Sequence, residues 1–218
     1  FGTLFLYDMT LTFDRGSTEN EQDNLVKTLN EDNRFAGTLL TTSQNGKLYA
    51  NDDEKDITIF IPEDLNQLDQ FIHFQDRKTE KPFNLTDEGA ILTEKVANQL
   101  EVKVGDTITL ENADGKKADV LISGITENYI YHYIYLSKTY YEKLFNDTVS
   151  FNQLVAVSNQ EDTALQSEIS SELMSLDEVS GVSWVSTLQD SFDDMIKNLN
   201  YVIILLIVSA GALAFVVL

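Results

Sequence analysis

The spacing of apolar positions changes several times along the chain, and each change marks an element. Thr3 to Phe13, TLFLYDMTLTF, sets Leu4, Leu6, Leu11 and Phe13 among Thr and Tyr, the pattern of a strand. Thr18 and Glu21 then stand at capping-box spacing, where each side chain satisfies the other's free backbone N–H. Leu25, Val26 and Leu29 give the helix that follows one apolar face. Phe35 to Thr42 is again strand-like, and Asn45-Gly46 offers the positive-φ pair of a tight hairpin into Lys47 to Ala50. The predicted order is β-α-β.

That order returns near the end of the chain. Phe151 to Ser158, FNQLVAVS, is strand-like; DTALQSEISSELMSL carries Leu165, Ile169, Leu173 and Leu176 at helical spacing; Gly181 to Ser186, GVSWVS, is a strand. Two such units at the ends of one domain can share a four-stranded sheet with both helices on one face. The expected fold class is α+β, with a split βαβ, ferredoxin-like subdomain made of residues 1–55 and 146–187.

Residues 56–145 read as an inserted β-rich subdomain. ITIFIP is a strand stopped by Pro62, and EGAILTEKVANQL sets Ile91, Leu92, Val96 and Leu100 around a short helix. VGDTITLENADGKKADVLISGI predicts a hairpin, because β-branched runs flank Asp114-Gly115, a pair that takes up positive φ at little steric cost. In ENYIYHYIYLSKTYYEKLF, Tyr129, Tyr131, Tyr133 and Tyr135 alternate with Ile130, His132, Ile134 and Leu136, one set on each face of a strand.

The last eighteen residues, Tyr201 to Leu218, carry no charge. As a helix they are about 27 Å long, near the ~30 Å of a bilayer's hydrocarbon core. A soluble core helix keeps a polar face, and here only Ser209, Gly211 and a few alanines interrupt large aliphatics, so a membrane span is expected. Ser186 and Gln189 repeat the capping-box spacing, and Phe192, Met195, Ile196 and Leu199 continue at helical period into the run. One helix is expected over residues 188–218, a stalk that becomes a transmembrane helix. Phe1 opens the chain without an initiator Met, and the sequence reads as a piece of a longer membrane protein.

Composition narrows the function classes. Thirty-six acidic residues against 15 basic ones give a formal net charge of −21, and no basic patch is visible, which argues against nucleic acid. The absence of Cys removes disulfides, thiolate metal sites and a Cys nucleophile together. GxxxxGK[ST] does not occur, so no phosphate loop is present. The two histidines, His73 and His132, sit in apolar runs and are expected to pack rather than to bind metal. NDDEKD, residues 51–56, lacks the ligand spacing and glycine of a calcium loop and reads as a solvated turn. No catalytic residue, metal or cofactor is assigned. Tyr129, Tyr131, Tyr133 and Tyr135 have two readings, a contact surface for substrate or partner and cross-strand packing.

Two segments resemble a known family. EGAILTEKVANQLEVKVGDTITL contains Val104, Gly105, Asp106, Thr107 and Ile108; SGITENYIYHYIYLSKTYYEKLF contains Ile134, Tyr135, Leu136, Tyr140, Tyr141 and Leu144. In residues and order they are similar to the extracytoplasmic, MacB-like periplasmic core domain of FtsX/MacB-family ABC transporter permeases. The resemblance implies a porter-type split βαβ subdomain around the insertion and a transmembrane helix straight after it. It implies a non-catalytic permease subunit in a bacterial cell membrane, this domain lying outside the cytoplasm. Its partners would be membrane lipid, a second permease copy or half, and an ABC ATP-binding subunit met through regions outside this chain. ATP hydrolysis by that subunit would move or export a peptide, lipoprotein or amphiphile. The competing reading of the same α+β-plus-span pattern is the ligand-sensing outer domain of a membrane signalling receptor.

Overall fold

The computed structural model describes residues 4–76, 79–127, 132–160, 162–186, 196 and 199–210. In chain order the elements are β1 (Met9–Phe13), α1 (Glu19–Glu31), β2 (Phe35–Ala50), β3 (Asp53–Pro62), β4 (Ala90–Thr93), α2 (Glu94–Gln99), β5 (Thr107–Glu111) and β6 (Lys117–Thr126). They continue with β7 (Tyr133–Tyr135), α3 (Lys138–Phe145), β8 (Gln153–Ser158), α4 (Thr163–Leu173) and β9 (Val179–Trp184). A 3-10 turn at Leu68–Gln70 interrupts the long connection from β3 to β4.

The two β-α-β units interleave in one sheet, whose end reads β2-β8-β1-β9. Antiparallel ladders set Leu11 opposite Leu154 and Leu39 opposite Val155. The units match position for position. Met9 and Gln153 open the first strands, Thr18 and Asp162 cap the helices, and Phe35 and Val179 open the second strands, each pair 144 positions apart.

The helices start where their side chains dictate. Thr18 N–H donates to Glu21 Oε2 at 2.7 Å and Glu21 N–H donates to Thr18 Oγ1 at 3.4 Å, the expected reciprocal cap. Asp162 Oδ1 accepts from Ala164 N–H at 2.8 Å. α1 buries Leu25 and Leu29, and α4 buries Ile169 and Leu173. Leu165, counted on the apolar face from its spacing, is 42% exposed. Gln166 occupies the buried position instead, with its Nε2 donating to Gln160 O at 3.1 Å; its counterpart Gln22 donates to Phe151 O at 3.2 Å. An amide that can be satisfied by a loop carbonyl has displaced a leucine there, which hydrophobic period cannot register.

β2 serves two assemblies. Residues 35–41 pair with β8, residues 41–50 pair with β3, and Lys47 to Tyr49 also pair with β5. From β3 the order β7-β4-β6-β5 returns to β2 and closes a six-stranded ring. Leu48, Ile59, Leu92, Leu110, Ile122 and Ile134, one from each strand, fill it without exposed surface. Each such side chain contributes about 1.5–3 kcal/mol by leaving water.

The hairpin expected at Asn45-Gly46 is not there. β2 runs straight through, and the chain reverses at Asn51 and Asp52, with φ of 52° and 65°. Gly46 meets a different need, because a Cβ on it would lie 2.7 Å from Ile59 Cδ1 and 2.8 Å from the Glu111 carbonyl oxygen. Strands β3 and β5 crowd β2 from both sides at that point. The hairpin at Asp114-Gly115 forms as expected: Gly115 has φ of 76°, and Asn112 Oδ1 accepts from the N–H groups of Asp114 and Lys116 at 3.1 and 3.0 Å.

The expected first strand is shorter than Thr3 to Phe13, since β1 begins at Met9. Ahead of it, Phe5 bridges antiparallel to Ile72. Phe1–Ser183 is one compact unit and Trp184–Leu218 a second. In the second, residues 199–210 are helical. Most of the stalk and transmembrane helix expected over 188–218 lies outside the described residues, and among the described residues no helix is long and apolar enough to cross a membrane.

Candidate functional site

Tyr129 and Tyr131 lie outside the described residues. Tyr135 has no exposed surface; its ring centroid is 5.5 Å from that of Phe60 and 4.9 Å from that of Phe74. Tyr133 is half-buried, 6.4 Å from Phe60 and 6.1 Å from Phe5, and its N–H donates to Thr93 Oγ1 at 3.2 Å. Ile134 points into the barrel, while the tyrosine face of β7 is overlaid by Phe5 and Phe74. The alternation in this strand therefore separates two packed faces. Of the described tyrosines in the row, only Tyr133 reaches solvent.

Beside this aromatic layer lies a cleft of ≈ 620 Å³ between residues 65–74 and 82–86. Leu68, Ile72, Phe74 and Leu85 are buried along it, while Asp69 and Asn84 stand exposed. Its volume falls within the range of small-molecule sites. His73 lines the cleft, and the half-buried His132 has its Nε2 enclosed with no hydrogen-bond partner among the described residues. Among the described residues no three His, Cys, Asp or Glu side chains stand together as a metal site. Sequence reasoning missed this cleft because its walls are connecting segments with no period of their own; FIHF and the Pro82-Phe83 pair were the available signals.

The residues that carry the family resemblance build the barrel's corners. Gly105 takes φ of 96°, open to glycine without strain, and its N–H donates to Ile122 O at 2.8 Å. Asp106 Oδ2 accepts from Lys103 N–H at 2.7 Å, and Asp106 O accepts from Ile122 N–H at 2.9 Å. This Gly-Asp turn fixes the start of β5 on β6. Ser137 caps α3, its hydroxyl accepting from Tyr140 N–H at 3.0 Å. Tyr140 OH accepts from Leu121 N–H at 3.0 Å, and Tyr141 OH accepts from Asn112 Nδ2 at 3.0 Å and Gln44 Nε2 at 2.9 Å. The two tyrosines thus dock α3 onto the hairpin and β2 through their phenol oxygens.

Several charges on the described surface stand in local pairs. Arg34 reaches Glu172 at 2.8 Å and Asp32 at 2.7 Å, tying the end of the first helix to α4, and its hydrogen bond holds the Asp32 carboxyl below the usual range. Lys47 pairs with Glu54 at 3.1 Å, Lys117 with Glu111 at 3.2 Å, and Lys116 with Asp147. At Glu63 desolvation first, then the charge of Asp23, pushes the carboxyl up against the opposing pull of Lys138.

No family model matches the sequence, and no curated protein matches it either. In fold the chain is similar to several solved structures. The periplasmic region of MacB from Actinobacillus actinomycetemcomitans is 11% identical, with a TM-score of 0.49 over 87% of this chain and 94% of that one. The extracellular domain of the noncanonic ABC-type transporter YknZ from Gram-positive bacteria is 11% identical, with a TM-score of 0.44 over 79% of this chain and 100% of that one. A domain of a protein described as a permease from Porphyromonas gingivalis is 14% identical, with a TM-score of 0.39 over 78% of this chain and 84% of that one.

Proposed function

We propose that this chain is the extracytoplasmic domain of an FtsX-like ABC transporter permease subunit in a bacterial cell membrane. The observation that supports it most is the helix at 199–210. From Tyr201 to Val208 all residues are aliphatic apart from the first, and each is at least 51% exposed. Leaving an aliphatic side chain in water forgoes about 1.5–3 kcal/mol of burial, and a helix apolar all round suits lipid. In this reading the helix continues as the transmembrane helix and the outer unit carries no chemistry.

A separate ABC ATP-binding subunit hydrolyses ATP, a second permease copy or half completes the assembly, and the outer domain moves or exports a peptide, lipoprotein or amphiphile at the outer membrane face. Tyr133, with Tyr129 and Tyr131 from the same alternation, is the proposed contact for substrate or partner, and Tyr135 anchors that strand from within. Co-expression of the full-length protein with an ABC ATP-binding subunit encoded beside it tests the reading. Affinity purification through the ATP-binding subunit should recover this protein, and membranes should hydrolyse ATP faster with both than with the ATP-binding subunit alone. Recovery of the ATP-binding subunit by itself, with unchanged hydrolysis, would count against it.

A further inference from the structure

The cleft between residues 65–74 and 82–86 offers a ligand less hydrocarbon than its lining suggests. The aliphatic side chains of its floor, Leu68, Ile72 and Leu85, are at most 5% exposed and are spent on the core beneath. What faces the open space is an aromatic ring and a set of hydrogen-bonding groups. Phe83 rests on Gly124 of β6, where an added Cβ would lie 2.5 Å from its Cε2, and its ring stacks 6.2 Å from that of Phe74. It is thereby fixed half-buried, with part of the ring open to the cleft. Around it, among the described residues, Asp69, His73 and Asn84 make no side-chain hydrogen bond or ion pair. Thr86 Oγ1 accepts from Glu88 N–H at 3.4 Å and keeps its own hydrogen to donate.

These features exclude ligand classes in turn. Among the described residues no Lys or Arg lines the cleft, so an anion meets no counter-charge. A cation meets the exposed Asp69 alone, and an ion pair open to water contributes little. A hydrocarbon gains in proportion to the apolar area it covers, and the buried floor leaves it little to cover. What fits is a neutral molecule with one flat apolar face and a rim of groups that both donate and accept. We propose that the cleft binds a neutral mono- or disaccharide. The C–H face of a pyranose ring lies on Phe83, its hydroxyls donate to the Asp69 carboxylate, and they exchange hydrogen bonds with Asn84, Thr86 and His73. A carboxylate only accepts and an amide does both, while a hydroxyl meets either, so a sugar completes this set without bringing charge. The cleft's ≈ 620 Å³ is of the size that such small molecules occupy. The site goes beyond the permease reading and does not depend on it.

The test titrates the full chain with N,N′-diacetylchitobiose, cellobiose and maltose, each to about 20 mM, in a zwitterionic detergent without a sugar headgroup, and follows the backbone amides by NMR. At least one of the three should shift the His73 and Asn84 amides saturably and leave those of β1 and β8 in place. Asp69→Ala and Asn84→Ala, both at exposed positions, should each weaken that binding about three- to tenfold, the loss expected of a hydrogen bond. Phenethylamine, a cation with an aromatic ring, should bind more weakly than the sugar. No saturable shift with any of the three sugars, binding indifferent to both substitutions, or tighter binding of phenethylamine would overturn the saccharide site. Unchanged β1 and β8 amides in each variant report that it folds; should one variant not fold, the other decides by the same criterion. No ATP-binding subunit is present in this titration, so its failure and that of the permease reading are seen separately.

Discussion

Leu39 of β2 faces Val155 of β8 across an antiparallel ladder, although the whole barrel lies between them in the chain. Both are buried, and the strand that carries Leu39 runs on into the barrel. Sheet and barrel should therefore melt together. Leu39→Ala is expected to cost about 2–5 kcal/mol, seen as one urea transition at lower midpoint by both far-UV circular dichroism and near-UV tyrosine signal. Two separated transitions would mean that β2 does not couple the two assemblies.

The Tyr141 phenol sits where two amide donors converge, and the Tyr140 phenol takes one backbone donor. Tyr141→Phe strands the buried Asn112 amide and should cost about 1–3 kcal/mol. Tyr140→Phe should cost less, about 1 kcal/mol, because a single donor loses its partner. Urea titration of the two variants checks the ranking, and the reverse order would contradict Tyr141 as the stronger of the two anchors of α3.

Two glycines separate crowding from backbone conformation. A Cβ on Gly46 meets the Glu111 carbonyl at 2.8 Å, and backbone cannot rotate away, so Gly46→Ala should cost at least about 2–3 kcal/mol. A Cβ on Gly105 meets nothing within 4 Å, and Gly105→Ala should cost about 1–2 kcal/mol, the penalty of a left-handed residue. Thermal melts that place Gly105→Ala as the more damaging change would contradict this reading of Gly46.

These positions also show what the sequence could and could not convey. The interleaved units were legible because their cues are local: the Thr18/Glu21 box, the alternation in FNQLVAVS, the period of Ile169 and Leu173. Asn45-Gly46 has the chemistry of a turn, and only the arrival of β3 and β5 on both sides of β2 makes it a crossing point. Tyr135 follows a half-exposed pattern, yet Phe60 and Phe74, brought from distant segments, close over it. The cleft is a product of the same long-range assembly, and no local rule marks its walls.

Glu63 gives the chain a pH signature. Its folded-state pKa is raised, so the unfolded chain ionises this group more readily, and the charge penalises the fold above the folded-state pKa but not below the unfolded value of about 4.5. Glu63→Gln should thus stabilise at pH 8, by at most about a few tenths of a kcal/mol because the residue is exposed and solvent screens the effect. The gain should fade as pH falls and vanish near pH 4. Melting temperatures of parent and variant at the two pH values check this, and a loss at pH 8 would reverse the sign assigned to Glu63.

The side of the membrane on which this unit sits is the central claim, and a single cysteine can report it. Val104 is 59% exposed at the Gly105 turn, and the chain has no Cys to compete. Val104→Cys in the full-length protein, carried on an otherwise Cys-free background, is treated in intact spheroplasts with a membrane-impermeant maleimide and compared with lysed cells. An extracytoplasmic permease domain predicts labelling in intact spheroplasts equal to that after lysis. Labelling that appears only after lysis would place the domain inside the cell and contradict the account.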